Sequence, residues 1–282
     1  MKTNAFAYVR ADTVPDALRL YAEAGEDARY LAGGQSLMAA LNFRLDEPST
    51  LIDITRVAAL RGIVADADAI RIGALTRHAD VADSAVITAE LPLIHAAIGH
   101  VAHPAIRNRG TFGGSVALAD PAAEMPACVL ALGGVMEIAG QDGTRHVPAD
   151  AFFLGTYETA LAPGELLTGV TIQRPAPGSR WGFAELARRA GDYAMAGLCL
   201  MIAPDRRDAR VVFFSISDRP VRARAAEAAI IAGASVIEVA AVATDGIEVY
   251  GDLNAGIATK RHYASVLLRR ELARLDQQEA AA

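Results

Sequence analysis

The sequence predicts an α+β fold with strands and helices mixed in both halves of the chain, and three observations carry that reading. In the first half, short β-type runs alternate with helical spacing, and two glycine-rich turns, Gly33-Gly34 and Gly113-Gly114, each precede a helical stretch. From about Trp181 the texture changes to longer β-rich runs, followed by alanine-rich helical segments. Between the two lies Arg174-Pro175-Ala176-Pro177-Gly178-Ser179, which reads as a linker and divides the chain into residues 1–176 and 177–282.

Taken in order, Phe6 to Val9 reads as a strand, and Thr13 with Asp16 three residues on reads as the capped start of a helix that Gly25 closes. A second strand, Arg29 to Ala32, runs into Gly33-Gly34-Gln35-Ser36, after which Leu37, Met38, Leu41 and Leu45 recur at helical spacing. Leu51 to Ile54 and Ala69 to Ile72 are further strands. Thr76 is placed to cap a short helix, and another starts near Pro92. Beyond Pro104 comes the turn Gly110-Thr111-Phe112-Gly113-Gly114-Ser115, then a helix begun by Pro121 and ended by Gly133-Gly134. Tyr193 to Ile202 and Ala209 to Ser217 supply the later strands, and Arg222 to Ala232 and Ala258 to Gln277 the later helices.

The composition excludes several functions. Of the 282 residues 52% are hydrophobic and 21% charged, enough to bury a sizeable core. The 27 basic against 33 acidic residues give a net charge of −6 without long runs of either sign, so no basic stripe exists to follow a nucleic acid. The most apolar windows, such as Ala194 to Ala203, fall well short of the roughly twenty residues that span a bilayer. The N-terminus shows no signal-peptide pattern, which makes the cytoplasm the expected location. Cys128 and Cys199 stand alone as ordinary core thiols, and no metal centre is legible: His100 and His103 lie three apart, but Pro104 follows and no third ligand is near. No Ser/His/acid set is suggestively spaced for nucleophilic catalysis either, and Arg188-Arg189 and Arg206-Arg207 read as solvated faces.

A glycine pair before a helix lets backbone N–H groups approach an anion with no Cβ in the way. Neither G-x-G-x-x-G nor G-x-x-x-x-G-K-[ST] occurs, so dinucleotide binding here is of another type. Ala32-Gly33-Gly34-Gln35-Ser36, the turn from Ile106 to Ser115, Ala119-Asp120-Pro121-Ala122-Ala123-Glu124, Gly164-Glu165-Leu166-Leu167 and Arg188-Arg189-Ala190-Gly191-Asp192-Tyr193-Ala194 follow one another over nearly the whole chain. Together they resemble the FAD-binding medium subunit of the molybdenum hydroxylases, the family of carbon monoxide dehydrogenase and xanthine dehydrogenase.

That resemblance implies an FAD-binding domain over 1–176 of the PCMH/vanillyl-alcohol-oxidase type. Its subdomains of about 1–55 and 56–176 would hold the cofactor between them, and a C-terminal domain of a small antiparallel sheet and helices follows. Carried over by position, the amides of Ala32, Gly33, Gly34, Gln35 and Ser36, with Leu37 next in the binding set, and the turn Thr111, Phe112, Gly113, Gly114 and Ser115 would hold the pyrophosphate and ribityl groups. The hydroxyls of Ser36, Thr111 and Ser115 add donors. Ala102 and Ile106 join the binding set. Asp120 and Glu124 would accept from ribityl or ribose hydroxyls, unless they only complement a helix dipole. Tyr193, next to Asp192, would lie near the isoalloxazine ring or else be a core aromatic, and Leu166 and Leu167 would line the flavin's apolar side or else belong to the core.

Four positions depart from the family: Met38 and Ala39 stand where leucine and proline are common, Leu118 where histidine is, and Ser115 where asparagine is. The four-cysteine insertion of 4-hydroxybenzoyl-CoA reductase is absent.

The resemblance also implies partners. A large subunit would carry molybdenum-pterin and a small subunit two 2Fe–2S clusters, in a dimer of heterotrimers, and the FAD of this chain would pass electrons to a small-molecule or protein acceptor. No side chain here need act as a general acid or base. The alternatives are a stand-alone FAD reductase of the same fold and a flavin-free scaffold subunit.

Overall fold

A computed structural model describes residues 2–281 and contains three main sheets and one two-stranded ribbon among them. Local chemistry sets the first elements. Thr13, extended at φ −136°, accepts from the Asp16 amide and caps the helix Val14–Ala24, while the Asp16 carboxylate accepts from the Asp12 amide. Gly25 ends that helix at φ 86°, a left-handed value that a Cβ disfavours. Thr13→Ala is therefore expected to lower stability by about 1 kcal/mol. Urea unfolding of the two chains checks this, and coincident midpoints would show the cap to be idle.

The strands Ala7–Arg10, Thr50–Asp53 and Ala28–Leu31 form a parallel sheet in that spatial order, with Tyr8 opposite Leu51 and Tyr30 opposite Ile52. The second sheet is antiparallel and runs Ile63–Ala65, Ala69–Gly73, Leu166–Gln173, Val135–Gly140, Gly143–Pro148. Its central strand comes from late in this part of the chain, so the helices between residues 78 and 131 are looped out over one side of it.

The third sheet, Arg180–Ala187, Ala194–Ile202, Ala209–Phe214 and Val221–Arg222, is antiparallel throughout. Both of its faces are covered. Cys199, Val212 and Phe214 belong to the core built on the helix Glu124–Ala131, whereas Leu198, Leu200, Val211 and Phe213 pack under the helices Arg224–Ile231 and Ile257–Ala281. A strand buried on both sides has no polar alternation. This explains the unbroken apolar run from Ala194, and no helix among the described residues is long and apolar enough to cross a membrane. Cys128 and Cys199, fully buried, bring their Sγ atoms to 3.7 Å at the helix–sheet contact, unbonded.

Four expectations need correction. The turn from Gly110 is a helix from Phe112 on: Phe112–Leu118 is helical, with Thr111 as its cap accepting from the Gly114 amide. The helix expected at Pro121 starts at Glu124, because the Asp120 carboxylate accepts from the Ala122 amide and its carbonyl from Ala123, which makes a turn first. Arg77, not Thr76, precedes the helix His78–Ala82; the Thr76 hydroxyl instead donates to the Gly62 carbonyl. The helix Leu37–Phe43 stops at Arg44, left-handed at φ 57°, so Leu45 lies outside it and is exposed.

Candidate cofactor site

The first two sheets, the helices and loops between them and the turn Gly191-Asp192-Tyr193 line a cleft of about 490 Å³, within the range of small-molecule and cofactor sites. Eighteen of the nineteen residues that the resemblance nominates line it; Phe112 does not. Phe112 is fully buried in the core and its amide donates to the Thr76 carbonyl, so neither its ring nor its N–H faces the cleft.

The two glycine segments touch. A Cβ on Gly33 would lie 2.4 Å from the Arg109 carbonyl oxygen and 2.8 Å from the Gly110 Cα, and one on Gly113 would lie 2.4 Å from the Ala74 Cβ. Their hydrogen bonding differs. Among the described residues, none of the amides of Gly33, Gly34, Gln35, Ser36 and Leu37 donates to a protein acceptor, so five N–H groups on one side of the cleft are available to an anion. Gly34 makes that turn possible at φ +72°. In the second segment the amides are already taken: Gly113 donates to the Ala74 carbonyl, Gly114 to the Thr111 hydroxyl and Ser115 to the Thr111 carbonyl. The expectation of two amide cradles is thus corrected to one, and the second segment offers the hydroxyls of Thr111 and Ser115 and a close backbone approach.

Asp120 is only 9% exposed; its carboxylate accepts from the Ala122 amide at 2.9 Å and from the Tyr157 hydroxyl at 3.2 Å. Burial, with Asp120 beside it, pushes the Tyr157 hydroxyl up to about 12. Glu124 opens the helix Glu124–Ala131 on the cleft wall, and burial, aided by Glu185 and Asp120, pushes its carboxyl up to about 7. Glu185 bonds His100 Nδ1 at 2.9 Å, and its other oxygen is buried with no partner. Leu166 and Leu167 belong to the core and line the cleft as well. Tyr193 is not a core aromatic: it lines the cleft and is 71% exposed. Gly191, two residues before it, sits so close to the Ala102 carbonyl and the His103 ring that a Cβ would come within 2.9 Å of each.

The sequence reading missed His78. It lines the cleft at 4% exposure with Nδ1 unpartnered, and burial, followed by the nearby Arg107 charge, pulls its pKa down to about 4. A histidine following Arg77 carries no local signal of this; only the packing of Gly110 against its ring reveals it. Glu165, quoted with the Gly164 motif but not nominated, also lines the cleft and is tied by the Arg145 guanidinium and the Ala162 amide.

FAD fits this site on the molecule's own terms: amides without protein acceptors for a pyrophosphate, the carboxyl groups of Asp120 and Glu124 for hydroxyls, and leucines with an exposed aromatic for a flat ring. The comparisons agree. Residues 4–175 match the family described as FAD binding domain in molybdopterin dehydrogenase. The chain is 42% identical over 231 residues to the 6-hydroxypseudooxynicotine dehydrogenase complex subunit alpha of Paenarthrobacter nicotinovorans, covering 80% of this chain and 78% of that protein. In three dimensions it is similar to a chain of carbon monoxide dehydrogenase from Hydrogenophaga pseudoflava, with a TM-score of 0.93 and 34% identity over 98% of both chains. A chain of quinoline 2-oxidoreductase from Pseudomonas putida 86 gives 0.92 and 34% over 99% of both. The chain belongs to the molybdenum hydroxylase family, as an FAD-binding medium subunit.

Proposed function

We propose that this chain is the flavin-carrying electron-transfer subunit of a heterotrimeric molybdenum hydroxylase. In this reading it receives electrons from two 2Fe–2S clusters of a small partner and delivers them to an external acceptor, while a large molybdopterin subunit oxidises the substrate. The observation that carries the proposal is the row of amides from Gly33 to Leu37, without a protein acceptor among the described residues, in one cleft with the side chains of Asp120 and Glu124. Bound FAD supplies the redox chemistry that joins one-electron carriers to a two-electron acceptor.

The chain's own residues bind and orient. The amides of Gly33 to Leu37 hold the pyrophosphate, Asp120 and Glu124 with the hydroxyls of Ser36, Thr111 and Ser115 hold the ribityl and ribose groups, and Tyr193 with Leu166 and Leu167 bounds the ring. Residues 1–176 form the cofactor domain, and the C-terminal domain brings Tyr193 to it. The names of the relatives, a complex subunit alpha and a carbon monoxide dehydrogenase medium chain at 39% identity, support an assembly with other subunits, which we extend to a dimer of heterotrimers.

Native purification with the co-eluting subunits identified, the visible spectrum recorded and metals measured tests this. Flavin and iron–sulfur absorption with molybdenum and two further subunits is the expected result. Yellow protein without partners or metals would replace the proposal by a stand-alone reductase. Colourless protein that cannot be reconstituted with FAD would replace it by a scaffold.

A further inference from the structure

Apart from Lys2, every basic side chain other than histidine in this protein is an arginine, with one exception, Lys260. It is 4% exposed and stands in the first turn of the helix Ile257–Ala281, where the helix dipole disfavours a cation. Its ammonium has two partners. It pairs with Asp252 Oδ2 at 2.7 Å and donates to the Ser215 carbonyl.

Both partners lead to the cleft. Ser215 is held left-handed at φ 63°, a conformation that side chains disfavour; there its amide donates to the Pro121 carbonyl at 2.7 Å and its hydroxyl to the Ala194 carbonyl. Pro121 follows Asp120, and Ala194 follows Tyr193. Asp252 Oδ1 accepts from the Asn254 amide at 2.7 Å, and the Asn254 side-chain oxygen accepts from Arg188 at 3.3 Å. The turn from Arg188 to Ala194, which carries Asp192 and Tyr193, is thereby gripped at both ends from one buried ammonium.

We propose that Lys260 is a positioning residue for the cofactor, acting through Ser215 and Asp252 to fix the Tyr193 turn and the Asp120 segment against the cleft. The inference rests on reading that cleft as the flavin site. Lys260 touches no cleft atom itself. It sets where Tyr193 stands, because loosening either leg weakens one end of a turn whose other anchors are the Ala187–Ala194 strand pairing, the Asp192 amide on the Arg189 carbonyl and the contact of Gly191 with Ala102 and His103.

The test uses the full chain and its K260M, K260R, S215G and N254A variants. Hydrogen exchange of the 188–194 segment is read without flavin, and FAD affinity and the visible circular dichroism of bound FAD are read with it. In K260M, exchange of that segment is expected to accelerate and FAD to bind about tenfold more weakly, with an altered visible dichroism. K260R, which keeps the charge and the donors, is expected to restore all three readouts. S215G accepts the left-handed backbone and removes only the hydroxyl, and N254A cuts only the exposed leg. Should K260M not fold, these two carry the test, each with faster exchange in the segment and an altered dichroism. Wild-type exchange and dichroism in both would overturn the inference and leave the flavin reading standing. A wild-type chain that takes up no FAD would remove the flavin reading, and this inference with it.

Discussion

Gly33→Ala is expected to strip the protein of FAD while leaving most of its fold in place. The added methyl would lie 2.4 Å from the Arg109 carbonyl oxygen and 2.8 Å from the Gly110 Cα, both backbone atoms, so no rotamer change relieves the clash. The two segments must separate, which takes the amides of Gly33 to Leu37 out of register with the opposite wall. Overpacking of this kind costs about 1–3 kcal/mol of stability, a tolerable loss for a domain of this size. Losing one or two charge-assisted hydrogen bonds weakens binding by roughly two orders of magnitude. Flavin fluorescence titration reads the affinity. Gly256→Ala is the control, because a methyl there meets nothing within 4 Å. Equal FAD affinity in Gly33→Ala and the control would remove the first glycine segment from the site.

The second large effect is a pair of opposed pH dependences. Burial takes the pKa of His78 from 6.5 down to about 4, so its neutral form is favoured in the folded chain. Between those values the unfolded chain binds the extra proton, and stability is lost as the pH falls. Glu124 is the reverse: its pKa rises from 4.5 to about 7, the folded chain holds the extra proton, and stability is lost as the pH rises. Each contributes a slope on the order of 1.4 kcal/mol per pH unit, with opposite signs.

From pH 4.5 to 6.5 the two windows overlap and the contributions cancel. Relative to wild type, His78→Gln is expected to lose stability steadily on going from pH 4.5 to 7, by about 3 kcal/mol in all. Glu124→Gln is expected to lose a similar amount on going from pH 6.5 to 4. Urea unfolding of flavin-free protein across this range reads both. Variant profiles that run parallel to wild type would show that neither group is held away from its ordinary pKa.

What the sequence made legible was local. Thr13 and Gly25 announce a helix because cap and stop are chemistries of adjacent residues. The order of glycine motifs located more than half of the lining of the cleft. What it hid was set by distant partners. The Thr76 hydroxyl turned to Gly62 instead of capping, and the amides after Thr111 were consumed by Ala74, Thr76 and the cap itself, so a glycine-rich stretch that looked free is a closed helix start. His78, Ser215 and Lys260 stand in unremarkable sequence and acquire their roles only when far segments pack on them. The two cysteines are a further case, 71 residues apart in the chain and in contact in the core.

The sheet of Arg180–Ala187, Ala194–Ile202 and Ala209–Phe214, covered on both faces, has a consequence for biosynthesis. The helix Glu124–Ala131 leaves the ribosome well before the strands whose Cys199, Val212 and Phe214 cover it. Until those strands arrive, a growing chain that already contains every glycine motif displays the apolar side of that helix to solvent. Such a surface invites association with other nascent chains. The stretches of chain before and after Ala176 therefore finish one core together.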